Sequence, residues 1–153
     1  HGIGRRQRQM CIRDRAIVEY LEARFPKATL YVGTPEQIGK AKDLERIIDL
    51  RLGGPMGTYG HATNSPLGRP PEPEKAAQCL AAMQAPLDYL EQLLSDGRPL
   101  LGGDQVNVAD CTMQSSLQFM RFVEVDVFGD RPLLRAWDER YRARPAAQAV
   151  LKW

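Results

Sequence analysis

Apolar residues fall on helical spacings along nearly the whole chain. The longest run follows Pro73: Ala76, Leu80, Met83, Leu87, Leu90 and Leu94 alternate steps of four and three, one continuous stripe on a helix surface. Pro86 lies inside it, removing one backbone donor and crowding the carbonyl of Ala82, so a kink is expected there and not an end. Upstream, Ala16, Ile17, Tyr20, Leu21 and Phe25 share a face of a first helix, which Asp14 can cap and Pro26 stops. A second helix opens at Thr34, with Pro35 in its first turn and Glu36 complementing the helix dipole. It runs through Ile38, Ala41, Leu44, Ile48 and Leu52. Gly53, Gly54 and Pro55 are expected to interrupt or kink it. A short piece carrying Met56 and Tyr59 follows, and then an aperiodic loop from His61 to Pro71.

The sharpest local signal is GDQVNVADC. Asn107 can accept from the amide of Asp110 while the Asp110 carboxylate reaches back to the amide of Asn107, a capping box with aspartate in the usual glutamate or glutamine place. That spacing accounts for Asp110 as a folding residue and not a catalytic one. Behind it Val108, Cys111, Thr112, Ser115, Phe119 and Phe122 share a face, with small side chains first, so a neighbouring helix is expected to approach closely there. Pro132 opens a helix through Leu134, Trp137 and Tyr141, and Pro145 opens a last one through Ala149 and Trp153. No segment alternates with period two over a strand length, so the fold class is all-α, a bundle of about five to seven helices.

Composition narrows the function. At 153 residues the chain suits one domain, which buries roughly 68–70% of its unfolded surface without staples. Cys11, Cys79 and Cys111 are too scattered for a disulfide framework, and with His61 lacking a second ligand nearby no metal site is expected. Cys111 has no general base beside it and reads as an inert buried thiol. No apolar run reaches the roughly 20 residues of a membrane span and the head lacks a secretory h-region, so a soluble cytoplasmic protein is expected, with no membrane partner. The net charge of +2 is carried by the head, where Arg5, Arg6, Arg8, Arg13 and Arg15 face only Asp14; the remainder is mildly acidic. With no aromatic residue in the head, nucleic acid is not expected as a partner. RRQRQMCIRDR reads instead as translated adapter sequence, which makes residues 1–14 a non-native head.

Taken together, AIVEYLEARFP, the capped helix after TPEQ, the stretch PLLGGDQVNVADCTM and the pattern of Trp137, Tyr141, Arg144 and Pro145 are similar to a bacterial-type cytosolic glutathione S-transferase over residues 15–153. The resemblance implies that 34–153 form the C-terminal helical domain and 15–26 the last helix of a thioredoxin-like domain that is otherwise missing. In that family a serine, tyrosine or cysteine near the first helix of the thioredoxin-like domain stabilises the glutathione thiolate, the species that attacks an electrophile. Glutathione is then the co-substrate, and no metal is required. Arg13 and Asp14 stand where the family has the Glu-Ser pair that holds the γ-glutamyl end, leaving Asp14 as the one candidate glutathione contact.

By the same resemblance Pro55, Met56 and Tyr59 fall near the pocket for the electrophile, with Phe119 and Met120 approaching it. The first three suit ordinary packing at a kink equally well, and helical spacing favours a core role for Phe119 and Met120. Arg46 and Asp49, spaced (i, i+3), suit a surface ion pair and, by the resemblance, the face of a homodimer. The implied parent transfers glutathione thiolate to a small electrophile, while this chain itself is expected to be inactive. The alternative is a non-catalytic helical module serving protein–protein assembly, which the fold does not separate from the first.

Overall fold

A computed structural model describes residues 15–151 apart from Pro66, so Asp14 and the rest of the head, together with Trp153, lie outside the described residues. The described residues form helices joined by loops, with a single isolated β-bridge between Leu100 and Gly103 and no strand, which bears out the all-α expectation. The helices are α1 (residues 15–24), α2 (Pro35–Ile48), α3 (Gly54–Thr63), α4 (Pro73–Leu94), α5 (Val108–Phe122), α6 (Pro132–Arg142) and α7 (Pro145–Val150).

The starts follow the punctuation. Thr34 caps α2: its hydroxyl accepts from the Gln37 amide at 3.4 Å, and the Gln37 side-chain oxygen accepts from the Thr34 amide at 2.8 Å. Proline occupies the first turn of α2, α3, α4, α6 and α7, where the missing N–H has no intrahelical partner to lose. The α6 start is capped from a distance. Glu91 of α4 accepts from the amides of Leu133 at 3.0 Å and Leu134 at 2.8 Å, which ties two helices as it satisfies one terminus.

The core is one cluster. Leu44, Ile48, Leu52 and Met56 from the α2–α3 run meet Met83, Leu87, Leu90 and Leu94 of α4, Ala109, Met113, Leu117 and Met120 of α5, and Leu134, Trp137 and Tyr141 of α6. Helix α4 runs unbroken through Pro86, and Cys79 takes the buried place beside a half-buried Leu80.

Two expectations need correction and one takes a definite form. The expected interruption near the glycines is a π turn at Asp49–Gly53, which leads directly from α2 into α3, with the Gly54 amide bonded to the Asp49 carbonyl. His61 is helical, because α3 extends to Thr63 and ends only at Asn64. The buried face of α5 is Ala109, Asp110, Met113, Gln114, Leu117 and Met120, not the face of Val108, Cys111, Thr112, Ser115, Phe119 and Phe122, of which only Val108 is buried.

The polar members of that face explain the difference, because each is buried with partners from far along the chain. Gln114 donates to Asp138 of α6 at 2.6 Å, and Arg121 pairs with the same carboxylate. Asp110, fully buried, accepts from four donors: the amides of Leu101 at 2.8 Å, Gly102 at 3.1 Å and Asn107 at 3.1 Å, and the indole nitrogen of Trp137 at 2.8 Å. Asn107 completes the capping box by accepting from the amides of Ala109 and Asp110. Burial pushes the Asp110 carboxyl above its usual range, and the hydrogen bonds from Trp137, Asn107, Leu101 and Gly102 pull it back.

Each Asp110 oxygen faces two N–H donors, so an amide at this position would set its own N–H₂ against two of them. Stranding buried donors costs about 1–3 kcal/mol each. Asp110→Asn is therefore expected to destabilise the fold by about 3 kcal/mol or more in urea denaturation, and Trp137→Phe, which empties one of the four places, by less at the hydrogen bond itself. An Asp110→Asn protein as stable as the parent would show that the carboxylate is not required.

Candidate functional site

The residues expected near an electrophile pocket come from two helices, and their surroundings differ. Met56 is fully buried within the core, Tyr59 is half-buried against it, and Pro55 is half-buried at the first turn of α3. Phe119 stands on the side of α5 away from the core and is 38% exposed. Met120, its neighbour, is a core residue.

Sequence reasoning did not single out Gly60, on which Phe119 depends. The aromatic ring lies directly against the α3 backbone there: a Cβ added at Gly60 would come within 2.6 Å of the ring's Cδ1. The ring is tilted at 51° to that of His61, with 6.2 Å between centroids. The Nδ1 atom of His61 is buried without a protein partner among the described residues. Along the same seam Gly53 brings α2 close to α5, where a Cβ would stand 3.1 Å from the Ser116 hydroxyl oxygen. Close approach between these helices was expected from small residues on α5; the small residues that permit it are mainly the glycines of the α2–α3 run. A glycine amid helical apolar positions, three to four residues from Met56 and Thr63, was the available signal for Gly60.

The remaining chemical candidates are occupied by structure. The Cys111 thiol accepts a hydrogen bond from the Tyr141 hydroxyl at 3.6 Å, and burial pushes both groups above their usual range. Cys79 is buried and likewise raised by desolvation. Ser115 and Ser116 both donate to the Thr112 carbonyl. Among the described residues no cluster of histidine, cysteine or carboxylate side chains is placed to hold a metal ion. Arg46 and Asp49 form the expected ion pair at 3.2 Å on the α2 surface. Helix α1 is anchored by Arg15 to the buried carboxylate of Glu45, with the Arg15 Nε at 2.9 Å, while Ile17, Tyr20, Leu21 and the following Phe25 are exposed.

Two surface depressions lie elsewhere. One, of about 470 Å³, is bounded by Gly129, Arg131, Pro132, Arg135 and Glu139 at the start of α6. Its two arginines are engaged, Arg131 with Asp88 and Arg135 with Asp126. The other, of about 410 Å³, lies between Leu30 and Val32 on one side and Leu100, Val106 and Arg144 on the other. Neither touches Pro55, Met56, Tyr59 or Phe119.

Residues 48–145 match the family model described as glutathione S-transferase, C-terminal domain. Glutathione S-transferase 2 of Saccharomyces cerevisiae is 29% identical over 147 residues, covering 90% of this chain and 60% of that protein. Among solved structures, Gtt2 from Saccharomyces cerevisiae is 27% identical with a TM-score of 0.75, covering 87% of this chain and 65% of that one. A glutathione S-transferase domain-containing protein of Marinobacter aquaeolei VT8 is 28% identical with a TM-score of 0.71, over 84% of this chain and 64% of that one. The chain thus spans about three-fifths of the length of these relatives.

If Phe119 and Gly60 form one contact, their substitutions must be coupled. Gly60→Ala is expected to lower stability by about 1–2 kcal/mol despite alanine's better helix propensity, because the Phe119 ring has to move. In a Phe119→Ala background the same change is expected to be neutral or stabilising, as chemical denaturation of the four proteins would report. Equal costs in both backgrounds would mean that the ring does not occupy the Gly60 notch.

Proposed function

The chain belongs to the glutathione S-transferase C-terminal domain family, and from that premise we propose that it is the helical half of a glutathione transferase, one that supplies a wall of the electrophile site. Glutathione is the co-substrate in this reading, and its thiolate attacks a small electrophile. Binding of glutathione and stabilisation of its thiolate belong in this reading to a thioredoxin-like domain, and not to residues 15–151. The observation that carries this division of labour is the state of the side chains here: both described cysteines have thiols raised by burial, and the Tyr141 hydroxyl is given to Cys111. A glutathione thiolate is stabilised by a hydrogen-bond donor free to reach its sulfur, and the Tyr141 hydroxyl is already committed to the Cys111 sulfur.

Within that reading α1 is the last helix of a thioredoxin-like domain, and residues 34–153 are the helical domain. Pro55, Tyr59 and Phe119 line the electrophile's side, with Met56 buttressing them from the core. Asp14 remains a candidate contact for the γ-glutamyl end of glutathione. The face of α2 bearing Arg46 and Asp49 meets a second subunit, and the assembled dimer works in the cytoplasm. The described residues include no helix long and apolar enough to cross a membrane.

The 153-residue chain, mixed with glutathione and an aryl halide, is expected to form conjugate at the uncatalysed rate and to pass through immobilised glutathione. Turnover well above background would contradict the proposed division. The same helical domain joined to its complete thioredoxin-like half is expected to dimerise, to be retained on glutathione and to form conjugate. A joined protein that is monomeric and unretained would favour the other reading, a non-catalytic assembly module.

A further inference from the structure

We infer that the π turn at Asp49–Gly53 is a one-residue insertion in a single long helix, and that it positions α3 against Phe119. Its bearing on the electrophile wall rests on the function proposed above, but the inference itself is about helix phase and is tested without activity.

The buried residues Leu44, Ile48, Leu52 and Met56 recur at steps of four. An α-helix turns about 100° per residue, so the twelve steps from Leu44 to Met56 would carry Met56 about 120° past the third full turn and off the face that Leu44 buries. All four are nevertheless buried, three of them completely. A turn closed by an i→i−5 bond holds one more residue than an α-turn, and so takes up about 100° of that drift. The bond is present, from the Gly54 amide to the Asp49 carbonyl.

The insertion sits where the helical ladder is already weak, because Pro55 has no N–H to donate. Downstream packing then depends on the phase it sets. Were the run α-helical throughout, α3 would be turned by about 100° and Tyr59 would arrive where Gly60 now faces the Phe119 ring, a place with no room for even a Cβ. The same rotation would bring Pro55 to the place in the core that Met56 fills.

Removing one residue from the π turn should therefore heal the helix and leave every contact beyond it in register. Leu50 is the residue to remove, since its side chain is 57% exposed. The comparison is deletion of Ala81, an exposed residue of α4, where no π turn stands and a deletion must rotate half a buried stripe. The Leu50 deletion is expected to melt within about 5 °C of the parent, and the Ala81 deletion to fold poorly or melt lower by more than about 10 °C. The coupling between Gly60→Ala and Phe119→Ala should also persist in the Leu50-deleted protein, a result that general tolerance of the deletion would not by itself produce. A Leu50 deletion as damaging as the Ala81 deletion would overturn the inference. So would a stable Leu50 deletion in which Gly60→Ala no longer depends on Phe119, because α3 would then have rotated.

Discussion

Four N–H groups converging on one buried carboxylate hold this fold in register. Asp110 gathers the turn at Leu101 and Gly102, the first residue of its own helix cap at Asn107, and the indole of Trp137 on α6. Desolvating a carboxylate is costly, and no ion pair among the described residues offsets it here; the compensation is that both oxygens are fully engaged as acceptors. The start of α5 is consequently fixed in position and rotation at once. With that rotation set, Ala109, Met113, Leu117 and Met120 face the core, and Phe119 is left on the opposite side to meet α3.

The π turn solves a matching problem on the partner helix. Its extra residue lets a four-residue repeat stay on one face through Met56, which brings Gly60, a position without a side chain, under the Phe119 ring. Fixing α5 by hydrogen bonds and α3 by helix phase gives the seam between them a defined shape. A wall for a small apolar ligand needs that definition, because its selectivity rests on side chains held in place and not on strong individual bonds. The function proposed for the chain is in keeping with this division: both described cysteine thiols are raised by burial, and the Tyr141 hydroxyl is given to Cys111.

Much of this architecture was legible in the sequence. Prolines, caps and four-three stripes marked the helices, and the Asn-x-x-Asp spacing marked the start of α5, because these are local signals. What escaped was set at long range. The buried face of α5 includes Asp110 and Gln114, which an apolar pattern skips and whose burial depends on Trp137, Asp138 and Arg121. The stretch from His61 to Pro71 has no periodicity and so reads as a loop, yet α3 persists until Asn64. The π turn was present in the spacing of Leu44, Ile48, Leu52 and Met56, which a period of 3.6 does not fit. The expected wall residues were named from a resemblance, and only the structure separated buried Met56 from partly exposed Phe119 and supplied Gly60 between them.

If the Asp110 cluster is what holds the domain together, its donors must be released only when the whole domain unfolds. Native-state hydrogen exchange reads this directly, residue by residue. The amides of Leu101, Gly102 and Asn107, with the indole N–H of Trp137, are expected to exchange with the free energy of global unfolding, as slowly as amides in the centre of α4. Exchange of these groups through a much smaller local opening, while α4 stays protected, would contradict that role of the Asp110 cluster.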